Sequence, residues 1–208
     1  VALLPIIRRH WRLCVYMVIL MACFNFFSHG TQDLYPTFLK VQHGFPPHTV
    51  SVIAICYNIA AMLGGICFGS LSEKIGRKKA IIIAALLALP VLPLWAFSSG
   101  SFMIGVGAFL MQFMVQGAWG VVPTYLTELV PDNSRAVLPG FVYQLGNLIA
   151  SVNATLQSRI AEAHGNNYGL AMAIVAGTVA ILIALMASFG RETRGMRISG
   201  KTAAGDGR

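Results

Sequence analysis

The stretch Gly69-Ser70-Leu71-Ser72-Glu73-Lys74-Ile75-Gly76-Arg77-Lys78-Lys79 crowds four basic residues and one acid into a short segment. Before it runs an apolar segment from Thr49 to Ser70. After it runs another from Ala80 to Phe97. Charges hemmed between two apolar runs of about 20 residues read as an aqueous loop joining two membrane-spanning helices. Gly76 gives that loop a residue free to make a tight turn.

Working outward, four more windows have the same character: Leu13 to Tyr35, Phe102 to Thr124, Ala136 to Gln157 and Tyr168 to Phe189. Turn-forming clusters divide the spans at His43-Gly44-Phe45-Pro46-Pro47, Ser98-Ser99-Gly100-Ser101, Pro131-Asp132-Asn133-Ser134 and His164-Gly165-Asn166-Asn167. No window alternates like a lipid-facing strand, which argues against a barrel. The expectation is an all-α membrane protein, a six-transmembrane-helix bundle over residues 1–190 with a flexible cytoplasmic tail over 191–208.

Composition agrees. The chain has 208 residues, of which 56% are hydrophobic and 11% charged. A soluble domain usually carries about 25% charged residues. The net charge of +8 comes from basic residues at span edges, with aromatic side chains inside the spans. That pattern argues against nucleic acid as a partner. Cys14, Cys23, Cys56 and Cys67 all fall in apolar segments without metal-ligand spacing. No metal, no cofactor and no enzymatic nucleophile–base pair is expected. Of the 15 Lys and Arg, only Lys40 and Arg159 fall on the side of the bundle away from the termini. The positive-inside rule then places both termini in the cytoplasm of a multi-pass protein. Short loops favour a bacterial inner membrane as the cell membrane concerned.

The opening stretch resembles the loop signature of the major facilitator superfamily: Gly69, the acid Glu73, Gly76, then Arg77 and Lys78. Glu128 and Arg135 resemble a second connection of that superfamily, an acid and an arginine around Pro131. The resemblance implies a twelve-helix fold of which these spans are the C-terminal half, helices 7–12. Either an N-terminal six-helix half or a second copy would then complete it. Gly69, Glu73, Gly76, Arg77, Glu128 and Arg135 form the expected cytoplasmic gate. Glu73 and Arg77 can pair with each other or with neighbouring helix ends, latching one state and releasing another. Gly64, Gly65 and Gly69 in the preceding span read as helix-packing residues.

The first span carries a wet face. At 100° per residue Asn25, Ser28, His29, Gln32 and Asp33 fall within an arc of about 140°, with Phe26 and Phe27 pointing largely away and Thr31 off the arc. A central Asp costs about 2.5–3.5 kcal/mol to insert, so such residues face a cavity, pair, or carry protons. His29 and Asp33 stand four apart and can meet. Histidine titrates near neutral pH, which makes the pair a candidate proton acceptor. The competing structural account places Asp33 at the outer interface and His29 as a satisfied interior histidine.

This string resembles the motif of the lactate and pyruvate permeases in the sialate:proton symporter family, met at Asn25, Ser28, His29, Thr31, Gln32, Asp33 and Thr37. The resemblance implies proton-coupled symport of small monocarboxylates, with His29 and Asp33 coupling the proton. Asn25, Ser28, Thr31, Gln32 and Thr37 would bind substrate. In the fifth span Gln144, Asn147 and Ser151 share a face, and the resemblance implies substrate binding by Gln144 and Asn147. Gln112 and Gln116, and Tyr57 with Asn58, read as packing groups. The expected partners are the lipid bilayer, a small carboxylate and a proton. Sialic acid or another sugar acid is the alternative cargo. A non-transporting membrane sensor or assembly subunit is the alternative class. No Lys or Arg lies in the wet face to meet a carboxylate, and the resemblance implies an arginine in the N-terminal half.

Overall fold

A computed structural model describes residues 3–194, and they are helical nearly throughout, with no strand among the described residues. After a short α1 (Leu3–Arg9), α2 (Trp11–Gln32) starts the first crossing. It yields at a turn at Asp33-Leu34 to α3 (Tyr35–Thr37) and a π-helical turn (Phe38–Gln42). Then follow α4 (Pro47–Ile75), α5 (Arg77–Phe97), α6 (Ser101–Leu129), α7 (Leu138–Ala150), α8 (Asn153–Ala163) and α9 (Tyr168–Phe189). The punctuation matches the turn chemistry. Pro46 and Pro47 open α4, where a missing N–H costs nothing. Gly76 divides α4 from α5 at φ +107°, a conformation that L side chains rarely adopt. The Asn167 side chain caps α9, accepting from the Leu170 N–H at 3.0 Å.

Among the described residues five crossings are long and apolar enough to span a membrane: Trp11–Gln42, Pro47–Ile75, Arg77–Phe97, Ser101–Leu129 and Tyr168–Phe189. Two boundaries correct the sequence reading. The first crossing runs past Tyr35 to Gln42. The window Ala136 to Gln157 is not one helix but two, α7 and α8, broken at Ser151-Val152. Ser151 turns both its N–H and its hydroxyl onto the Leu148 carbonyl, at 3.3 and 2.7 Å. A side chain that satisfies a carbonyl locally competes with the helical ladder.

The core runs between α2, α5, α6 and α9, with Phe24, Phe27, Trp95, Ile104, Met111, Met172 and Ile183 fully buried. α4 lies against α6 through small residues. A Cβ at Gly120 would stand 2.6 Å from the Gly65 carbonyl oxygen, and one at Gly64 would overlap the Phe113 carbonyl. Backbones this close bring dispersion contacts that lipid cannot supply. The outer face of α4 shows Ile55, Met62 and Ile66, the surface of a multi-pass membrane protein. Residues 191–194, expected in a flexible tail, are docked: Thr193 is wholly buried. The rest of the expected tail, 195–208, lies outside the described residues.

Candidate functional site

The last turn of α2 is where the polar side chains gather. His29 and Asp33 face one another as their spacing requires, with Nδ1 3.0 Å from Oδ1. The other ring nitrogen, Nε2, lies 3.4 Å from Asn147 Oδ1 on α7. Asn153 on α8 donates to the second Asp33 oxygen at 3.2 Å. His29 and Asp33 stay partly open, with side-chain exposures of 42% and 31%. Both ring nitrogens of His29 face oxygens. An imidazolium answers both as a donor. A neutral ring keeps one donor and needs the Asn147 amide to turn and offer its NH2.

A second group of amides closes the other flank. Gln32 donates to Gln112 Oε1 at 3.1 Å, and Gln112 reaches the Thr31 hydroxyl at 3.2 Å and the Thr31 carbonyl at 3.5 Å. Thr31 turns its own hydroxyl back onto the Phe27 carbonyl at 2.9 Å. On α8, Gln157 donates to the Gly30 carbonyl at 2.8 Å. The last four carbonyls of a helix have no intrahelical partner. Here Gly30 and Thr31 are answered by glutamines from α8 and α6.

The remaining expected binding residues scatter. Asn25 is 2% exposed and donates to the Tyr143 carbonyl at 3.5 Å, which joins α2 to α7. Gly146 stands beside it, where a Cβ would come within 2.9 Å of Asn25 Nδ2. Phe27, expected to point away from the wet face, is fully buried in the core. Ser28 and Thr37 are partly buried, and Gln144 is exposed on α7. No side-chain hydrogen bond to a described residue forms at these three. Asn153 and Gln157, both fully buried, were not anticipated as site residues. Their four-residue spacing is the one sign of them in the sequence.

The basic end of the bundle carries a separate cluster. Arg77 pairs with Glu128 at 3.2 Å and donates to the Ser72 hydroxyl at 2.6 Å. The Thr193 hydroxyl donates to the second Glu128 oxygen. Glu192 accepts the Arg77 backbone N–H at 2.8 Å and fills the space a Cβ at Gly76 would occupy. Glu73 is exposed and makes no hydrogen bond or ion pair with a described residue, so the anticipated pairing with Arg77 is absent. Arg135 pairs with Asp132 and donates to the Thr127 carbonyl at 3.0 Å, leaving Glu128 to Arg77. An apolar groove of about 450 Å³ lies between α4 and α6 around Ile53 and Phe109, away from both clusters.

The chain is similar to a carboxylic acid transporter protein homolog of Saccharomyces cerevisiae, 33% identical over 89% of this chain and 32% of that protein. It is also similar to the sialic acid transporter NanX of Escherichia coli, 26% identical over 85% of the chain and 44% of that protein. A cis,cis-muconate transport protein of Acinetobacter baylyi is 23% identical over 89% of the chain and 44% of its own length. The chain thus spans between 32% and 44% of the length of these relatives. The model of the Major Facilitator Superfamily matches residues 15–205. An all-helical bundle of membrane crossings whose second and third are joined through the Gly76-Arg77 turn is a partial form of that fold, and the chain belongs to the major facilitator superfamily.

Proposed function

We propose that this chain is part of a secondary transporter that carries a small monocarboxylate together with a proton. The observation that carries the reading is the His29–Asp33 pair, 3.0 Å apart and partly open, flanked by the amides of Asn147 and Asn153. A histidine beside a carboxylate can take up and give up a proton. Neutral amides donate to a carboxylate without the desolvation cost of a buried cation. Gln144 and Asn147, with Ser28, Gln32 and Thr37, line the path on this reading. Asn25 and Thr31 hold its wall. Moving an anion into a negative interior costs about 2.3 kcal/mol per charge per 100 mV. One proton cancels that charge and adds the pH gradient as drive.

The basic end lies in the cytoplasm on this reading, and Arg77 with Glu128 is its latch, alongside Gly69, Glu73, Gly76 and Arg135. The counter-cation for the substrate comes from a second six-helix unit, since alternating access works by one bundle rocking against another. The relative named as a carboxylic acid transporter supports the cargo class. The test is uptake of radiolabelled lactate by the full-length transporter in proteoliposomes under an imposed pH gradient, with lactate and sialate as competitors. His29→Ala and Asp33→Asn abolish gradient-driven uptake. Intact proton-driven uptake in either variant sinks the proton assignment, and competition by sialate alone moves the cargo to sugar acids.

A further inference from the structure

Two interrupted helices meet at this site. α2 stops at Gln32, inside its own crossing, and α8 begins at Asn153 after the break from α7. Asn153 sits at the junction and is fully buried. Its Nδ2 donates to Asp33 Oδ2 at 3.2 Å and to Gln157 Oε1 at 3.2 Å, and Gln157 passes the connection on to the Gly30 carbonyl. Its Oδ1 is buried with no hydrogen-bond partner among the described residues. A buried acceptor left without a donor is costly and calls for an explanation.

We propose that Asn153, with Gln157 behind it, is a positioning residue that ties the charge on Asp33 to the break between α7 and α8. The inference rests on reading His29 and Asp33 as the proton site. Asp33 lies past the C-terminal end of α2, where that helix's dipole disfavours negative charge, and against the first residue of α8, where the dipole favours it. As a carboxylate it accepts from Asn153. As an acid with its O–H turned to α8 it would face a donor, until the Asn153 amide turns over and presents the unused Oδ1. That turn withdraws Nδ2 from Gln157, so a proton on Asp33 rearranges the amides that join the two helix ends. Among the described residues no other charged group competes in the contact. His29 is the titratable side chain touching Asp33, α7 contributes Asn147, α6 contributes Gln112 and α9 the apolar Val175 beside Gly30. Arg159 and Glu162 on α8 are exposed.

The test is infrared titration of the purified full-length protein in lipid, following the carboxylic acid band that Asp33→Asn removes. With Asn153→Leu the carboxylate loses a donor, and the midpoint of that band moves toward alkaline pH by about one unit. Asn153→Ser, whose hydroxyl stops short of Asp33, moves it the same way and covers a leucine variant that does not fold. A purely structural role would lower protein yield and leave the midpoint in place. An unmoved midpoint in the variant that folds overturns the inference and leaves the proton site standing. A wild-type protein with no band removed by Asp33→Asn defeats the proton site itself, and the inference with it.

Discussion

Arg77, the first residue of α5, and Glu128, the last but one of α6, form an ion pair at 3.2 Å with side chains only 15% and 9% exposed. Beside them the Ser72 hydroxyl accepts from Arg77 and the Thr193 hydroxyl donates to Glu128. A pair this sheltered is asymmetric in its energetics. Removing one partner strands the other, whereas replacing both with apolar groups of similar volume does not.

Glu128→Ala should therefore destabilise the bundle by about 3 kcal/mol. The double change Arg77→Met with Glu128→Leu should recover most of that loss. Thermal unfolding of the purified protein in detergent measures the order of the variants. Equal losses in the single and the double variant would contradict the account.

Glu73 should behave differently although it belongs to the same loop. It is exposed and unpaired with any described residue, and surface changes of that kind usually stay within about 0.5 kcal/mol. Glu73→Gln should leave the melting temperature unchanged beside Glu128→Gln in the same assay. A large loss would mean that Glu73 is engaged after all.

Neighbouring glycines in α4 should separate just as cleanly. A Cβ at Gly64 would overlap the Phe113 backbone, whereas one at Gly65 finds its nearest neighbour at an ordinary 3.7 Å. Gly64→Ala should cost about 3 kcal/mol or prevent folding, since backbone cannot yield as a side chain can. Gly65→Ala should be tolerated. Size-exclusion profiles of the two variants in detergent distinguish these outcomes.

His43, in the loop after the first crossing, packs edge-on to Phe38 and stacks on Phe45. Burial holds its pKa below the ordinary value of 6.5. Between the two values the unfolded chain binds more protons than the folded one, so stability rises with pH. The contribution is present above about pH 6.5 and is lost as pH falls through that value toward the depressed folded one. His43→Phe should flatten the fall in melting temperature on acidification, and a slope unchanged from wild type would count against this.

Gln112 is 2% exposed and connects α6 to Gln32 and Thr31. Gln112→Leu leaves those groups without their partner and should cost about 1–3 kcal/mol. Gln116, partly buried one turn on, makes no such connection, so Gln116→Leu serves as the control in the same melting experiment.

Hydropathy alone located the crossings, because a run of apolar residues needs no tertiary context to be recognised. It could not reveal the break at Ser151-Val152. No Gly or Pro marks that position, and the cause is a serine satisfying a carbonyl that the helix would otherwise use. The spacing of His29 and Asp33 foretold their contact, since four residues is one helical turn. The partners from α7 and α8 come from 118 and 120 residues away, and which helices adjoin is decided by packing. Asn25 shares an arc with His29, yet it spends its amide on the backbone of α7. A helical wheel separates polar from apolar sides but does not say which polar group will meet a neighbour. Nor did a Gly-rich, polar C-terminal stretch announce that Glu192 and Thr193 would dock.

That docking matters to anyone who handles the protein. Glu192 closes over the start of α5 and Thr193 over Glu128, so a deletion ending at Phe189 would disturb a turn more than a hundred positions upstream. Reporter fusions and epitope labels are best joined well beyond Arg194. One spliced directly onto the end of α9 would prise open the Gly76-Arg77 turn before any assay began.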